Sequence, residues 1–362
     1  MITYIGSENI ISPLGNSAQE NFKQVKNHVS GISLFKGIGI NKEDIHLAKI
    51  SSLEDYNKFD QLLSNCISSI LLDSEDDIIE SDDMLVIIST TKADIQENLD
   101  APIHSSVEKI KNEFQLKNSP LVISNACISG VLAINTANNL IQNRFYKHVL
   151  VVGADTISDF VIYGFQSLYA ISERPCQPFD KERRGITLGE GAGGVLLSSN
   201  RAIFKSECFE FIEGTSSNDA NHISGPSRTG EGLYRTVNNT LRIANISATE
   251  IDYISAHGTG TSFNDEMESI AFSRLGINNV PINSLKGYFG HTLGAAGLIE
   301  SAISLQSMRN NLLIKSLGYQ SKGTSEEINV LTENLEKEIN TILKTASGFG
   351  GCNASAIIRR IS

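Results

Sequence analysis

The chain has 362 residues, of which 40% are hydrophobic and 20% charged, and a formal charge of -11 at pH 7. That composition supplies ample material for a globular core, and the acidic balance excludes broad nucleic-acid binding, which needs Lys and Arg to neutralise phosphates. No apolar run reaches the roughly 18 residues of a spanning helix, and MITYIGSENIISPLG lacks a basic segment ahead of an apolar one. A soluble, cytoplasmic protein with no membrane insertion is therefore expected.

In chain order, strand-like runs alternate with helix-like ones. MLVIIST (84–90), LVIS (121–124) and HVLVVGAD (148–155) are dense in Val, Ile and Leu, as expected of strands buried on both faces of a helix-covered sheet. VEKIKNEFQL and ISGVLAINTANNLIQNR between them place apolar residues at helical spacing. Gly-rich GEGAGG (189–194) leads into the strand-like VLLSS, where a dinucleotide loop should open a helix, so nucleotide binding is discounted. The acidic run LDSEDDIIESDD (72–83) reads as a solvated connection.

The second part repeats the grammar. FEFIEGTSS is a strand, EGLYRTVNNTLRIAN a helix, and IDYISAHGTG a strand entering a loop. DEMESIAFSRLG (helix), VPINSLKG (strand into loop), TLGAAGLIESAISLQSMR (helix), TILKTASGFGG and ASAIIRRI (strands) complete it. The alternation implies an α/β layered architecture. LVISNACISGVLAINTANNLIQ and VPINSLKGYFGHTLGAAGLIESAISLQ share an order: strand, polar loop with a reactive residue, small-residue helix. Two similar halves are expected, residues 1–203 and 204–362, each presenting chemistry at a strand-to-helix junction.

Five scattered cysteines (66, 127, 176, 208 and 352) show no paired spacing and no His/Cys cluster in sequence, so free thiols and no metal are expected. Cys127 stands out because a strand delivers it to a helix start, where unsatisfied N–H groups and the helix dipole should lower its thiol pKa. Ala126, Ser129 and Gly130 keep bulk away from the sulfur. His257 in ISAHGTGTSFND and His291 in LKGYFGHTLGAAG both sit at element ends among glycines. The other five (His28, His46, His104, His148 and His222) lack that setting, although the SNDANHISGP context of His222 sets it somewhat apart.

These motifs together resemble the β-ketoacyl-acyl-carrier-protein synthases. Cys127 in NACISG, His257 in AHGTGT, Lys286 and His291 in KGYFGHTLGAAG, GFGGCNAS (348–355), PFDKERRGITLGEGAG and ISPLGNS follow the order of the elongating type of these thiolase-fold condensing enzymes. The resemblance implies a thiolase-like α/β fold in α-β-α-β-α layers and a decarboxylative Claisen condensation on an acyl-Cys127. It makes His257 and His291 neutral Nε2 donors to an enolate, and the N–H groups of Cys127 and Phe349 an oxyanion hole. Lys286 acts electrostatically, held by Glu300, and Phe349 gates the site. Thr259 and Thr261 bond the pantetheine arm, Gly350 falls among the substrate-binding positions, and Asp265 and Glu268 support the first His. No cofactor is implied, since phosphopantetheine arrives on an acyl carrier protein. Assembly as a homodimer, or as a heterodimer with a related chain-length-factor subunit, follows from the same resemblance.

Three departures narrow this expectation. The segment between Thr90 and Leu121 is short for the family. SSLEDYNKFDQLL (51–63), in place of a basic carrier-docking helix, is acidic or neutral except for Lys58, leaving Lys181, Arg183 and Arg184 as docking alternatives. Gly287 and Cys352 replace the family's Ser and Thr. A specialised lipid, polyene or polyketide pathway is expected, with a malonyl-carrier decarboxylase, an acyltransferase or a chain-length-setting subunit as alternatives.

Overall fold

Every residue of Met84–Ser89 and His148–Asp155 is buried, as continuous apolar strands require when helices cover both faces of their sheet. The computed structural model describes residues 1–362 apart from 54–55, 76–77, 96–98, 220–224 and 362. His222 lies outside the described residues. Ten strands form one sheet: β1 (Thr3–Ile11), β2 (Met84–Ser89), β3 (Leu121–Ile123), β4 (His148–Asp155), β5 (Gly191–Ser198), β6 (Phe209–Asn218), β7 (Tyr253–Ser255), β8 (Ile282–Asn283), β9 (Thr341–Gly348) and β10 (Cys352–Arg359).

Their order is β3-β2-β4-β5-β1-β6-β10-β9-β7-β8. Within each group of five the arrangement is the same, counted from its own edge as third, second, fourth, fifth, first. The pairings repeat too: β3, β2 and β4 run parallel, then β5 and β1 antiparallel; β8, β7 and β9 run parallel, then β10 and β6 antiparallel. The groups join where Thr3–Ile5 pair antiparallel with Phe209–Phe211.

Nine helices are described: α1 (Ala18–Lys26), α2 (Lys58–Leu72), α3 (Pro102–Glu113), α4 (Ser129–Gln142), α5 (Asp159–Ser167), α6 (Glu231–Ala244), α7 (Ser262–Arg274), α8 (Lys286–Phe289) and α9 (Ala296–Asn310). α4 touches β2 and β4 of the first group and β6 and β10 of the second; α9 touches β1 and β5, and also β7 and β9. These two helices form the central layer, with α2 and α3 outside one group and α6 and α7 outside the other. α9 is buried on all sides from Ala296 to Met308, which explains its run of Ala, Gly and Ser. A Cβ on Gly130 would stand 2.9 Å from the Leu298 nitrogen, so the α4–α9 crossing requires glycine there.

Some expectations change. β3 is a sheet edge with Leu121 exposed and Val122 and Ile123 half-buried, not a doubly covered strand. VPINSLKG yields only a two-residue strand before α8, because Lys286–Phe289 turn immediately into a helical loop. The acidic connection is not wholly solvated, since Ile78 within it is buried in the core. Among the described residues no helix is long and apolar enough to cross a membrane.

Candidate active site

The reactive side chains all follow the ends of parallel strands, where the chain must reverse. Ala126 adopts a left-handed φ of 44°, turning the chain out of β3 toward α4 and presenting Cys127 at the junction. Ser129 Oγ staples this turn by accepting from the Asn125 N–H at 2.8 Å and donating to the Ala126 carbonyl at 2.6 Å. His291 follows Gly290, whose φ of 65° and close approach to the Leu188 carbonyl exclude a side chain. The result places Cys127 Sγ 3.0 Å from His291 Nε2, with the His257 and His291 rings edge to face at 5.2 Å.

Backbone contacts explain the PFDKERRGITLGEGAG motif. The Gly185 N–H donates to the Gly260 carbonyl, beyond His257, and the His291 N–H donates to the Thr187 carbonyl at 2.7 Å. One loop thus braces both histidine loops. Asp265 accepts from the N–H groups of Phe179, Thr259 and Gly260, and Glu268 from those of His257 and Gly258. Glu268 thus holds the His257 backbone, and Asp265 the loop just beyond it. Burial, reinforced by Asp265, pushes Glu268 up to about 7.

The hydrogen-bond network assigns the histidine tautomers. His291 Nδ1 accepts from the Leu293 N–H at 3.3 Å, and His257 Nδ1 faces the Lys286 ammonium at 3.3 Å. Both protons therefore sit on Nε2, aimed into the cavity. Burial, then the Lys286 charge, holds both imidazoles well below their ordinary range, so they are neutral. The Cys127, His257 and His291 donor atoms lie within 4.8 Å of one another. A metal would need the Nε2 lone pairs that these tautomers occupy with protons, so the set fits hydrogen-bond donation better than ligation.

Cys127 departs from the helix-start expectation. Burial pushes its thiol up to about 12; Cys352 adds to this, while Lys286 and the Phe349 backbone N–H oppose it. Desolvation of a thiolate outweighs the nearby helix start, and the resting group is a thiol.

Lys286 Nζ donates to Glu300 Oε1 at 2.6 Å and to the His257 carbonyl at 2.5 Å. Phe349 is 36% exposed and stacks on Phe165 of α5 at 5.6 Å. A pocket of about 610 Å³ opens above the sulfur, lined by Cys127, both histidines, Thr259, Thr261 and Phe349, with Arg184, Arg228 and Phe263 toward the rim. Gly350 does not line it; its neighbours Phe349 and Gly351 do. Thr261 also caps α7 by accepting from the Asn264 N–H.

Two basic residues, Lys58 of the 51–63 segment and the docking alternative Arg183, turn inward. Lys58 is buried and pairs with Glu190 at 2.9 Å, and the Arg183 guanidinium bonds the carbonyls of Asp180 and Gly323. Lys181 and Arg184 are exposed. Sequence reasoning missed Lys344, which reaches Glu300 Oε2 at 2.6 Å from β9. Its signal was a lysine inside the apolar run TILKTASG. Asp155 was missed too; it accepts from the Gly294 N–H at 2.7 Å and fixes the loop after His291.

Two topologically equal halves enclosing a cysteine beside two histidines define a thiolase-like protein. The chain belongs to the β-ketoacyl synthase family, whose members are acyltransferase-type condensing enzymes: it matches the family's N-terminal domain over residues 108–202 and its C-terminal domain over residues 211–320. It is 33% identical over 273 residues to 3-oxoacyl-[acyl-carrier-protein] synthase 2 of Rhizobium meliloti (strain 1021), covering 71% of this chain and 65% of that relative's length. With the 3-oxoacyl-[acyl-carrier-protein] synthase 2 of Coxiella burnetii (strain RSA 493 / Nine Mile phase I) identity is 27%, covering 100% of this chain and 98% of the relative. That alignment runs to 416 positions against 362 residues here, so the relative carries insertions. A chain of the complex of ketosynthase ApeO with chain length factor ApeC from Xenorhabdus doucetiae superposes with a TM-score of 0.88 at 24% identity, covering 99% of this chain and 98% of that one. At that identity the likeness establishes the shared fold.

Proposed function

We propose that the protein is a 3-oxoacyl-[acyl-carrier-protein] synthase that condenses a malonyl unit with an acyl group held on Cys127. The observation that carries this reading is the contact of Cys127 Sγ with His291 Nε2 at 3.0 Å, beside a second neutral histidine. Cys127 attacks the acyl-carrier thioester; the new C–S bond replaces the old, and the proton leaves on the carrier thiol. The Cys127 and Phe349 N–H groups stabilise the tetrahedral oxyanion. Malonyl-carrier then loses carbon dioxide, its C–C electron pair becomes an enolate, and the Nε2–H groups of His257 and His291 donate to the enolate oxygen. The enolate carbon attacks the acyl carbon, and Cys127 departs and regains a proton, leaving a 3-oxoacyl-carrier two carbons longer.

No cofactor of the protein's own enters this scheme, because the pantetheine arm comes with the carrier, along Thr259 and Thr261. Five free thiols among the described residues suit a cytoplasmic site. The short segment before Leu121 supports a specialised lipid, polyene or polyketide pathway and a second, related subunit. Gel filtration of the complex from native cells tests the latter: a fully active homodimer without a partner would sink it. Incubation with acyl- and malonyl-carriers tests the reaction itself. A 3-oxoacyl product supports condensation; acetyl-carrier alone would assign a decarboxylase, and absence of any Cys127 adduct a silent subunit.

Arg183 is internal and Lys181 and Arg184 are exposed; of the exposed cations, Arg184 and Arg228 line the pocket and are placed to meet an acidic carrier at its mouth. The double variant Arg184→Glu/Arg228→Glu is expected to raise the KM for acyl-carrier by about tenfold, in line with rim charge pairs acting mainly on encounter. Alkylation of Cys127 by iodoacetamide, which needs no carrier, should keep its rate. An unchanged KM would move the docking surface elsewhere.

A further inference from the structure

Behind His257 the structure buries a charge arrangement that the condensation scheme does not use. Glu300, from the central helix α9, receives two ammonium groups: Lys286 on Oε1 and Lys344 on Oε2, both at 2.6 Å. Each lysine is 1% exposed. Around Lys344 Nζ the other neighbours are carbonyl oxygens, of Thr345 at 2.9 Å, Ser255 at 3.2 Å and Ala256 at 3.4 Å. Burial lowers the pKa of this lysine and Glu300 opposes the lowering. The ammonium has three N–H donors for the four acceptors, where a neutral amine has two and a lone pair facing the others, so the surroundings favour the ammonium. Ser255 and Ala256 immediately precede His257, which puts this cation beneath the histidine it does not touch.

We propose that Lys344 is a second positioning cation of the site. By taking one oxygen of Glu300 it leaves the Lys286–Glu300–Lys344 group with one positive charge in excess, and that field keeps His257 in its neutral, Nε2-donating form. The other groups facing His257 do not supply this excess. Asp265 on α7 is offset by Arg183 at 3.9 Å, and Glu268 on α7, which burial pushes up to about 7, is mostly protonated in the acid range where His257 gains its proton. His291 and Cys127, on the cavity side, are neutral. One carboxylate cannot balance two ammonium groups, and in a buried site the imbalance is weakly screened. The inferred shift of His257 toward the neutral form has burial as its largest cause, with Lys286, His291 and Lys344 following.

The inference rests on the condensing reading for its kinetic consequence only. Malonyl-carrier decarboxylation by the wild-type protein should hold its rate to below about pH 6.5, the ordinary histidine value. In Lys344→Met, and likewise in Lys344→Gln, the acid limb should move up by about one pH unit, a several-fold loss at the pH where the wild-type rate has halved, with little change near pH 8. The titration of His257 followed by its ring-proton NMR signal should shift in the same direction, a readout that needs no turnover. Wild-type protein without decarboxylation would refute the function but leave the NMR comparison standing. An unchanged His257 titration in the folded neutral variants overturns the proposal. So does failure of both to fold in thermal melts, which would assign the charge to stability.

Discussion

Cys127→Ala should abolish condensation, with 3-oxoacyl product falling below about one ten-thousandth of the wild-type rate. The variant removes one sulfur from a buried position between α4 and the Phe349 loop, a change whose structural cost is about 1 kcal/mol or less. Loss of activity would therefore report chemistry, with folding checked by thermal melting. The acyl adduct should vanish from the intact-protein mass spectrum at the same time. Cys127→Gln places an amide where the acyl thioester would stand and leaves the His257 and His291 donors in place. It should retain malonyl decarboxylation while condensing nothing. Condensation at the wild-type rate by the Ala variant would show the nucleophile assignment to be wrong.

The second large effect belongs to Glu300. Glu300→Gln is nearly isosteric, yet it leaves the Lys286 and Lys344 ammonium groups buried without a counter-charge. Removing one partner of a buried ion pair costs about 3–5 kcal/mol, and here one removal strands two cations. A clear fall in melting temperature at pH 7 is expected, together with loss of decarboxylation as Lys286 releases the His257 carbonyl. The sign with pH follows from the stranded lysines. Burial already lowers Lys344, and losing the opposing Glu300 charge takes it further below the unfolded value of about 10.4, so the deficit is greatest at neutral pH and shrinks as pH rises and a proton is shed. Adding Lys344→Met should restore part of the stability. Melting curves at pH 7 and pH 10 for both variants decide this; a Gln variant as stable as wild type at pH 7 would contradict the ion-pair account.

Much of the architecture was legible because its strands are buried on both faces. MLVIIST and HVLVVGAD could hardly be anything else, and they became β2 and β4. The echo between the Cys127 and His291 segments was legible for a related reason: each half uses an edge strand, a reactive loop and a small-residue helix. In the fold these are β3 with α4 and β8 with α9, equivalent in order and pairing. Elements governed by long-range contacts read poorly. VPIN gives a strand of two residues, and the helical turn Lys286–Phe289 follows from packing around Lys286. Arg183 looks like a surface cation until the carbonyls of Asp180 and Gly323 close on it.

By itself the sequence determined the α/β alternation, the candidate reactive residues and the small-residue spacing around Cys127. Those are local properties: side-chain periodicity, glycine placement and functional-group chemistry. Only the tertiary structure decided that two five-stranded groups join through β1 and β6 and fold their loops around one sulfur. It also decided that Lys344 and Glu300, 44 residues apart, share a buried bond. Burial reversed the expected direction for the Cys127 thiol, because desolvation depends on everything packed around an atom. A helix start can be read from neighbouring residues; the dielectric above it cannot.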